Sequence, residues 1–535
     1  MKTRVAKYLI IMGILAVLTG CGKDIEDSGQ IEDIEVNSLD NNKENDSEKW
    51  VVDYSDVEVA KIEAGVATHD PALIQVDGTY YIFGTHMATA KSDDTLTWEY
   101  VGNGYKPSNP VYQDLWASDS KVFEYAGNGT SIIPTDDGGN HVWAPDVIYN
   151  KKMGCYVLYY CTSSTWNASN LCYATSDNIE GPYVWQGALI YSGFTEPNID
   201  ATDVCQYVDK ETALTRYIKA SGEYNYDDYP NAIDPHPFYD EDGRMWLVYG
   251  SWSGGIFLIE LDESTGEVIH PEENEAANVD PYFGKRLLGG GHKSIEGPYI
   301  LFDENSGYYY LFVSYGELRR AGGYQIRVFR SDKVDGDYVD MNGEAPNKFD
   351  IHEKYGIKLS GNYFLPSLDK AYMATGHNSA IINDKNQYLI CYHTRFDNGG
   401  ENFEPRVKQF FMNKEGWPCV LPYSYQSEEI SETGYTPDEV CGIYYFINPT
   451  ILIDDDIATP VYMELKADGT LDGENLEGSW TYEEGSPYMT LTFNDNKKKS
   501  HTYSGVFCRQ FDEAGKEVMT FTAVGNNRSA WGVKK

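Results

Sequence analysis

The side chains of this chain that could do chemistry together are His69-Asp70, Asp146, Asp234, Glu296 and His377, drawn from segments more than 300 residues apart. Each opens a similar stretch. A polar residue stands beside Pro or Gly, a short apolar segment follows, and an acidic or Gly turn leads into a second strand rich in Tyr, Leu and Val. One carboxylate beside a proline is ordinarily a turn device. Several carboxylates and a histidine at one repeat position are not predicted by packing, and carboxyl groups in different environments are the groups of general acid–base chemistry.

The elements that must position these groups are hairpins. The fullest copy runs from Asn231 to Gly254, with apolar residues on both sides of Asp242-Gly243. A second begins His69-Asp70-Pro71-Ala72-Leu73-Ile74, turns at Asp77-Gly78 and returns as Tyr80-Tyr81-Ile82-Phe83-Gly84. Others begin at Trp143-Ala144-Pro145-Asp146, Ser294-Ile295-Glu296-Gly297-Pro298 and Gly376-His377-Asn378-Ser379. Alternating apolar residues around Asp-Gly are a hairpin signal. Five copies at intervals of roughly 60 to 90 residues predict an all-β, five-bladed β-propeller, whose innermost strands bring the repeat openings to one pocket.

These motifs resemble glycoside hydrolase family 43, and within it the endo-1,5-α-L-arabinanases. His69-Asp70-Pro71, Asn231-Ala232-Ile233-Asp234-Pro235 and Ser294 to Tyr299 match the family's three catalytic motifs in order. Gly250-Ser251-Trp252-Ser253-Gly254 and Val407 to Asn413 also match, and the resemblance covers about residues 65 to 425. It implies an inverting hydrolase, which needs a base, an acid and about 6.5 to 9.5 Å between them for water. By resemblance Asp70 is the base, Glu296 the acid, and Asp234 orients Glu296 and keeps it protonated through its like charge. Asp146 receives a supporting role, orienting neighbours or lining the sugar site, with Trp143, Ala144, Ile233, Ser251, Trp252 and Ser253 as the other substrate contacts. The resemblance also implies a calcium ion at the propeller centre held by His377, with water completing the shell; the general preference of calcium for six to eight oxygens would not choose a histidine.

Ahead of the repeats, residues 1–20 have a basic start (Lys2, Arg4, Lys7), an apolar run and small residues before Cys21, as a signal peptide does. Leu18-Thr19-Gly20-Cys21 looks like a bacterial lipoprotein site, predicting lipid attachment at Cys21 on the extracellular face of the cell membrane. Residues 21–52 are polar and read as a disordered acidic tether. The catalytic domain is expected over 53–425, a linker over 426–441, and a C-terminal all-β barrel or sandwich over 442–535.

A net charge of -41 excludes nucleic acid and anionic lipid as partners and fits a neutral glycan such as arabinan. The only membrane association expected is the lipid anchor, and the chain is expected to be a monomer. The chain holds 44 Tyr and 11 Trp, and flat rings stack on sugars. Strand propensity explains most of the Tyr. Trp116, Trp143, Trp166 and Trp252, in loops or at repeat openings, are the cleft candidates. Eight cysteines besides Cys21 permit disulfides without requiring them, and neither CxxC nor HExxH occurs to mark zinc. Long insertions at 104–140 and 193–229 lie in loops that frame the cleft. They leave open an exo-acting α-L-arabinofuranosidase or β-xylosidase of the same fold. A surface glycan-binding lipoprotein is a further alternative, although a binder would not need Asp70, Asp234 and Glu296 together.

Overall fold

The computed structural model describes residues 48–117, 119–494 and 499–535. The expected leader, Cys21 and the tether up to residue 47 lie outside the described residues. The last expected tether residues belong to the packed body: Trp50 and Val52, followed by Tyr54 and Val57, lie against a cluster containing Tyr445, Tyr462 and Trp531.

The architecture is all-β and propeller-like, with a C-terminal β domain. Four of the repeats form separate antiparallel sheets. The first holds Ala72–Val76, Thr79–Gly84, Ala88–Ser92 and Glu99–Gly102. Its opening hairpin pairs Val76 with Thr79, leaving Asp77 and Gly78 at the corner with φ of 50° and 86°. Two positive φ values at a two-residue corner make the turn whose twist matches the strands, and Asp-Gly tolerates them. The second sheet holds Val142–Asn150, Cys155–Ser163, Ser169–Ser176 and Val184–Tyr191. The third is built on His236–Tyr239, Met245–Tyr249 and Ile256–Leu261. The last holds Tyr372–Ile382, Tyr388–Phe396, Phe403–Met412 and Pro418–Val420.

The remaining repeat, Ile295–Asp303, Tyr308–Tyr315, Gln325–Ser331 and Ile357–Ser360, corrects the expectation of five separate blade sheets. Its outer strand pairs in parallel with Arg528–Lys534 at Lys358↔Arg528, so these strands and the C-terminal domain form one 12-stranded sheet. The C-terminal strands run as an antiparallel meander from Gly442–Ile447 to Arg528–Lys534. The last strand pairs with both Gly442–Ile447 and Glu517–Gly525, closing the domain as a barrel instead of a sandwich.

Apolar clusters join each sheet to the next. One unites Phe83 and Tyr81 with Leu158 and Tyr160, and another unites Tyr159 and Leu171 with Leu247 and Tyr249. Further clusters lie between the third and fourth repeats and between the fourth and fifth. Leu73, Tyr80 and Ile82 meet Leu389, Cys391 and Val407, joining first to last. Covering both faces explains why Tyr308–Tyr315 is buried almost throughout instead of alternating.

The insertions are packed, not loose. Val111, Tyr112 and Leu115 enter the cluster between the first two sheets. The later insertion folds a helix, Lys210–Tyr217, whose start is capped by Asp209 accepting from the Thr212 N–H, and buries Phe194, Tyr217 and Tyr224. All eight described cysteines are free thiols.

Candidate active site

One local distortion recurs at the opening of every repeat. Asp70, Ala144, Asp234, Gly297 and His377 have φ of 53°, 41°, 57°, 57° and 48°. Left-handed backbone is unfavourable for residues other than glycine and concentrates at functional positions. In the three longer opening strands the same residue sits in a β-bulge, where the pairing skips between Trp143 and Asp146, Glu296 and Tyr299, and Gly376 and Ser379. Such bulges re-aim side chains. They also show that the chemical residues are not one repeat position: Asp70, Asp234 and His377 occupy it, Glu296 precedes it, and Asp146 lies two residues beyond.

Asp70, Asp234, Glu296 and His377 therefore line one pocket of about 390 Å³, with His69, Thr85, His86, Trp143, Ile233, Leu318, Arg395 and Phe403. Asp146 does not. It lies behind the pocket, at a small cavity of about 20 Å³, where its Oδ2 is 2.5 Å from His236 Nδ1. The other nitrogen of His236 faces the Ile300 carbonyl at 2.9 Å, and the ring stacks on Tyr299 at 3.5 Å.

Asp70 is held on both oxygens. Oδ1 meets His69 Nδ1 at 2.7 Å and His377 Nδ1 at 3.1 Å. Oδ2 accepts from the Thr85 hydroxyl at 2.5 Å, and that hydroxyl accepts from the Ala144 N–H at 2.9 Å. Ala144 thus acts through its backbone, not as a wall of the pocket. The Asp70 N–H donates to His393 Nδ1 at 3.3 Å, so that nitrogen carries no proton. Burial alone would raise the Asp70 carboxyl, but the His377 and His69 imidazoles hold it well below the usual carboxylate range. Burial drives the wholly enclosed His393 the other way, well below an ordinary histidine.

Glu296 accepts from Tyr324 on Oε1 at 2.7 Å, and from Ser251 and the Trp252 indole on Oε2 at 3.0 and 2.8 Å. An indole only donates, which fixes Oε2 as an acceptor and leaves Oε1 for an acidic proton. Burial raises the Glu296 carboxyl; the Tyr324 hydrogen bond, His377 and Ser251 oppose it, and the Asp70 charge adds to it, with a net rise. Asp234 is raised well above the usual range by burial, then by Glu296 and Asp70, against a hydrogen bond from the Gly297 N–H at 3.1 Å. Asp234 is thus itself pushed toward the neutral form, and the charge that raises Glu296 is that of Asp70. One pocket holds an ionised carboxylate beside two carboxyls biased toward protonation, as general acid–base chemistry requires.

Among the other expected residues, Trp143 lines the pocket and stacks on His141 at 5.5 Å, and Ile233 lines it nearby. Ser253 is fully buried and does not line it. Trp116 packs between Tyr105 and Phe123 within the first insertion, away from the pocket lining. Thr85, Tyr324, His393 and Arg395 were not singled out in the sequence. His393 and Arg395 share a face of one strand by their spacing of two, and that inward pair was the available signal; Tyr324 had none beyond the preceding glycines.

His69, Asp70 and His393 converge closely enough to hold a metal, but the lone pair of His393 Nδ1 is taken by the Asp70 N–H. This nitrogen-rich group does not offer the six to eight oxygens that calcium takes from a cage. The cavity behind it has room for about one water. An ion bound by His377 fits only with a shell made mostly of water on the pocket side.

Residues 216–418 match the model for glycosyl hydrolases family 43, and residues 422–532 match its C-terminal lipocalin-like domain. An extracellular endo-α-(1→5)-L-arabinanase of Bacillus subtilis is 36% identical over 88% of this chain and 93% of its own. One from Thermotoga petrophila is 35% identical over 87% and 93%. The crystal structure of an endo-1,5-α-L-arabinanase from Thermotoga petrophila aligns over 90% of this chain and 100% of that one, with a TM-score of 0.74 at 34% identity. A relative at this identity, matched over nearly its whole length, places the pocket in a known lineage: the chain belongs to glycoside hydrolase family 43.

Proposed function

We propose that this enzyme is an inverting glycosidase that cleaves internal α-1,5-L-arabinofuranosyl linkages of arabinan. The names of its relatives support the substrate. The observation that carries the mechanism is the opposite poise of two carboxyls in one pocket: Asp70 held ionised between His69 and His377, and Glu296 pushed toward the acid form by burial.

In the step proposed, Asp70 takes a proton from a water that attacks the anomeric carbon. The bond from that carbon to the glycosidic oxygen breaks, and Glu296 gives its proton to the departing oxygen. Asp70 ends protonated, Glu296 ends ionised, and exchange with solvent resets both. Thr85, fixed by the Ala144 N–H, aims Asp70; Ser251, Trp252 and Tyr324 aim Glu296; Asp234, accepting from the Gly297 N–H, orients the backbone that carries Glu296. Trp143 and Ile233 are the proposed walls of the scissile subsite. If calcium binds, His377 is the protein ligand, and the ion supplies a fixed positive charge that favours ionised Asp70.

We count the strands from Ile295 to Ser360 as a fifth blade, since apolar clusters link each repeat to the next and the last to the first. Secretion through the leader and anchoring at Cys21 on the cell exterior agree with relatives named as extracellular, and the monomeric state is retained. Proton NMR of the first-formed sugar tests the mechanism: inversion gives the β-anomer, and Asp70→Asn and Glu296→Gln should each lower kcat at least a thousandfold without unfolding. An α-anomer formed first would exclude it.

A further inference from the structure

A contiguous run of rings leads away from Glu296 to the surface, and beyond Trp252 none of it touches the acid. Trp252 donates its indole N–H to Glu296 Oε2. Its ring lies 5.4 Å from that of His292, and His292 lies 4.9 Å from Trp166. Trp166 is 54% exposed, the most exposed tryptophan among the large apolar side chains at the surface. Tyr226 and His292 meet its ring at interplanar angles of 71° and 73°, so neither covers it by stacking.

Exposure alone would not make a site, but this ring is held in place. The Trp166 carbonyl accepts from Asn231 Nδ2 at 2.9 Å, tying it to the motif that carries Asp234. Asn231 is 3% exposed. Tyr226 is held by Lys219, whose ammonium lies 3.2 Å from the ring centre and pairs with Asp227 at 2.7 Å. The Gly254 N–H reaches the carbonyls of both Tyr226 and Gly291, at 2.9 and 3.0 Å. Gly254 has φ of 65°, and a Cβ there would stand 2.4 Å from the Tyr229 backbone, so this junction requires glycine. An apolar ring kept exposed on such a scaffold is the form of a sugar platform, because the C–H face of a furanose stacks on an indole.

We infer that Trp166 is a stacking subsite for the leaving-group side of the polysaccharide, one or two sugar units beyond the scissile bond. This rests on the arabinan reading above. The direction follows from the acid: the sugar whose oxygen Glu296 protonates lies on the Glu296 side of the bond, and the ring contacts from there lead over Trp252 and His292 to Trp166. In a 1,5-linked chain the departing portion carries the reducing end, so Trp166 holds the reducing-end segment.

The test is hydrolysis of linear α-1,5-arabino-oligosaccharides of increasing length, labelled at the reducing end, by the full chain and by Trp166→Ala and Trp166→Phe. Trp166→Ala should lose about five- to tenfold in kcat/KM on the longer oligosaccharides, with little change on the shortest one cleaved. Its cleavage should shift so that fewer sugars remain on the labelled fragment, and Trp166→Phe should restore most of the wild-type pattern. An equal loss at every length, a shift confined to the unlabelled side, or wild-type behaviour would each overturn the subsite. Failure of the wild type to cut any arabino-oligosaccharide would instead overturn the substrate reading, and this inference with it.

Discussion

The Tyr324 hydroxyl lies 2.7 Å from Glu296 Oε1, on the oxygen left free by the indole of Trp252. Tyr324 is 1% exposed, and a Cβ on Gly376 would collide with its ring, so the phenol has little freedom to leave. It stabilises the ionised form of Glu296 and thereby restrains the rise that burial imposes. Tyr324→Phe should raise the Glu296 pKa and move the alkaline limb of kcat/KM to higher pH. It should lower kcat about tenfold or more on a natural linkage, and much less on an aryl-capped oligosaccharide whose leaving group needs little protonation. An unmoved alkaline limb would remove Tyr324 from the acid's control.

His69 acts on the opposite limb. It holds Asp70 below the usual carboxylate range, so Asp70 stays ionised into acid solution. Replacing His69 by Asn removes part of that restraint, and the Asp70 pKa should rise. The acidic limb of kcat/KM should then move upward in pH while the alkaline limb stays, as read from a pH profile on linear arabinan.

Asp146 belongs to the structure behind the pocket. Its partner His236 is 5% exposed and bridges it to Ile300. Asp146→Ala should cost about 1 to 3 kcal/mol of stability by leaving His236 unpaired. The folded fraction should keep kcat within a few-fold, in contrast to Asp70→Asn. Denaturant unfolding with an activity assay separates the two effects.

Lys358 predicts a pH-dependent stability at the junction of propeller and barrel. Its ammonium donates to the Leu452 carbonyl at 3.1 Å, and burial pushes its pKa down to about 7 from 10.5. Between these values the unfolded chain binds more protons than the folded one, so stability from this residue rises with pH through that window and the penalty is full below pH 7. Lys358→Met should remove this component. Relative to the variant, the wild type should gain up to about 1.4 kcal/mol per pH unit above pH 7, measured by denaturation at a series of pH values.

The three carboxylates were legible because each stands in a short motif beside Pro or Gly, and the left-handed backbone and bulge that those motifs encode now explain why. Asp146 shares the motif but lies two residues past the left-handed position, which turns it to the cavity behind, where its partner is the neighbouring His236. Tyr324 and Thr85 were invisible because their partners Glu296 and Asp70 stand 28 and 15 residues away and nothing local marks them as ligands of a carboxylate; His393 offered only its pairing with Arg395, and its partner Asp70 lies in another repeat. The joining of the fourth repeat to the barrel was hidden for the same reason, since it rests on one long-range pairing, Lys358 with Arg528.

The central claim is endo-cleavage of arabinan by the Asp70 and Glu296 pair. It is tested most directly by following viscosity and product lengths from linear debranched arabinan, with Glu296→Ala as the control. A rapid fall in viscosity with early oligosaccharides of mixed length is expected, both lost in Glu296→Ala. Arabinose or a single short product from the first time point would contradict it, as would cleavage that survives in Glu296→Ala.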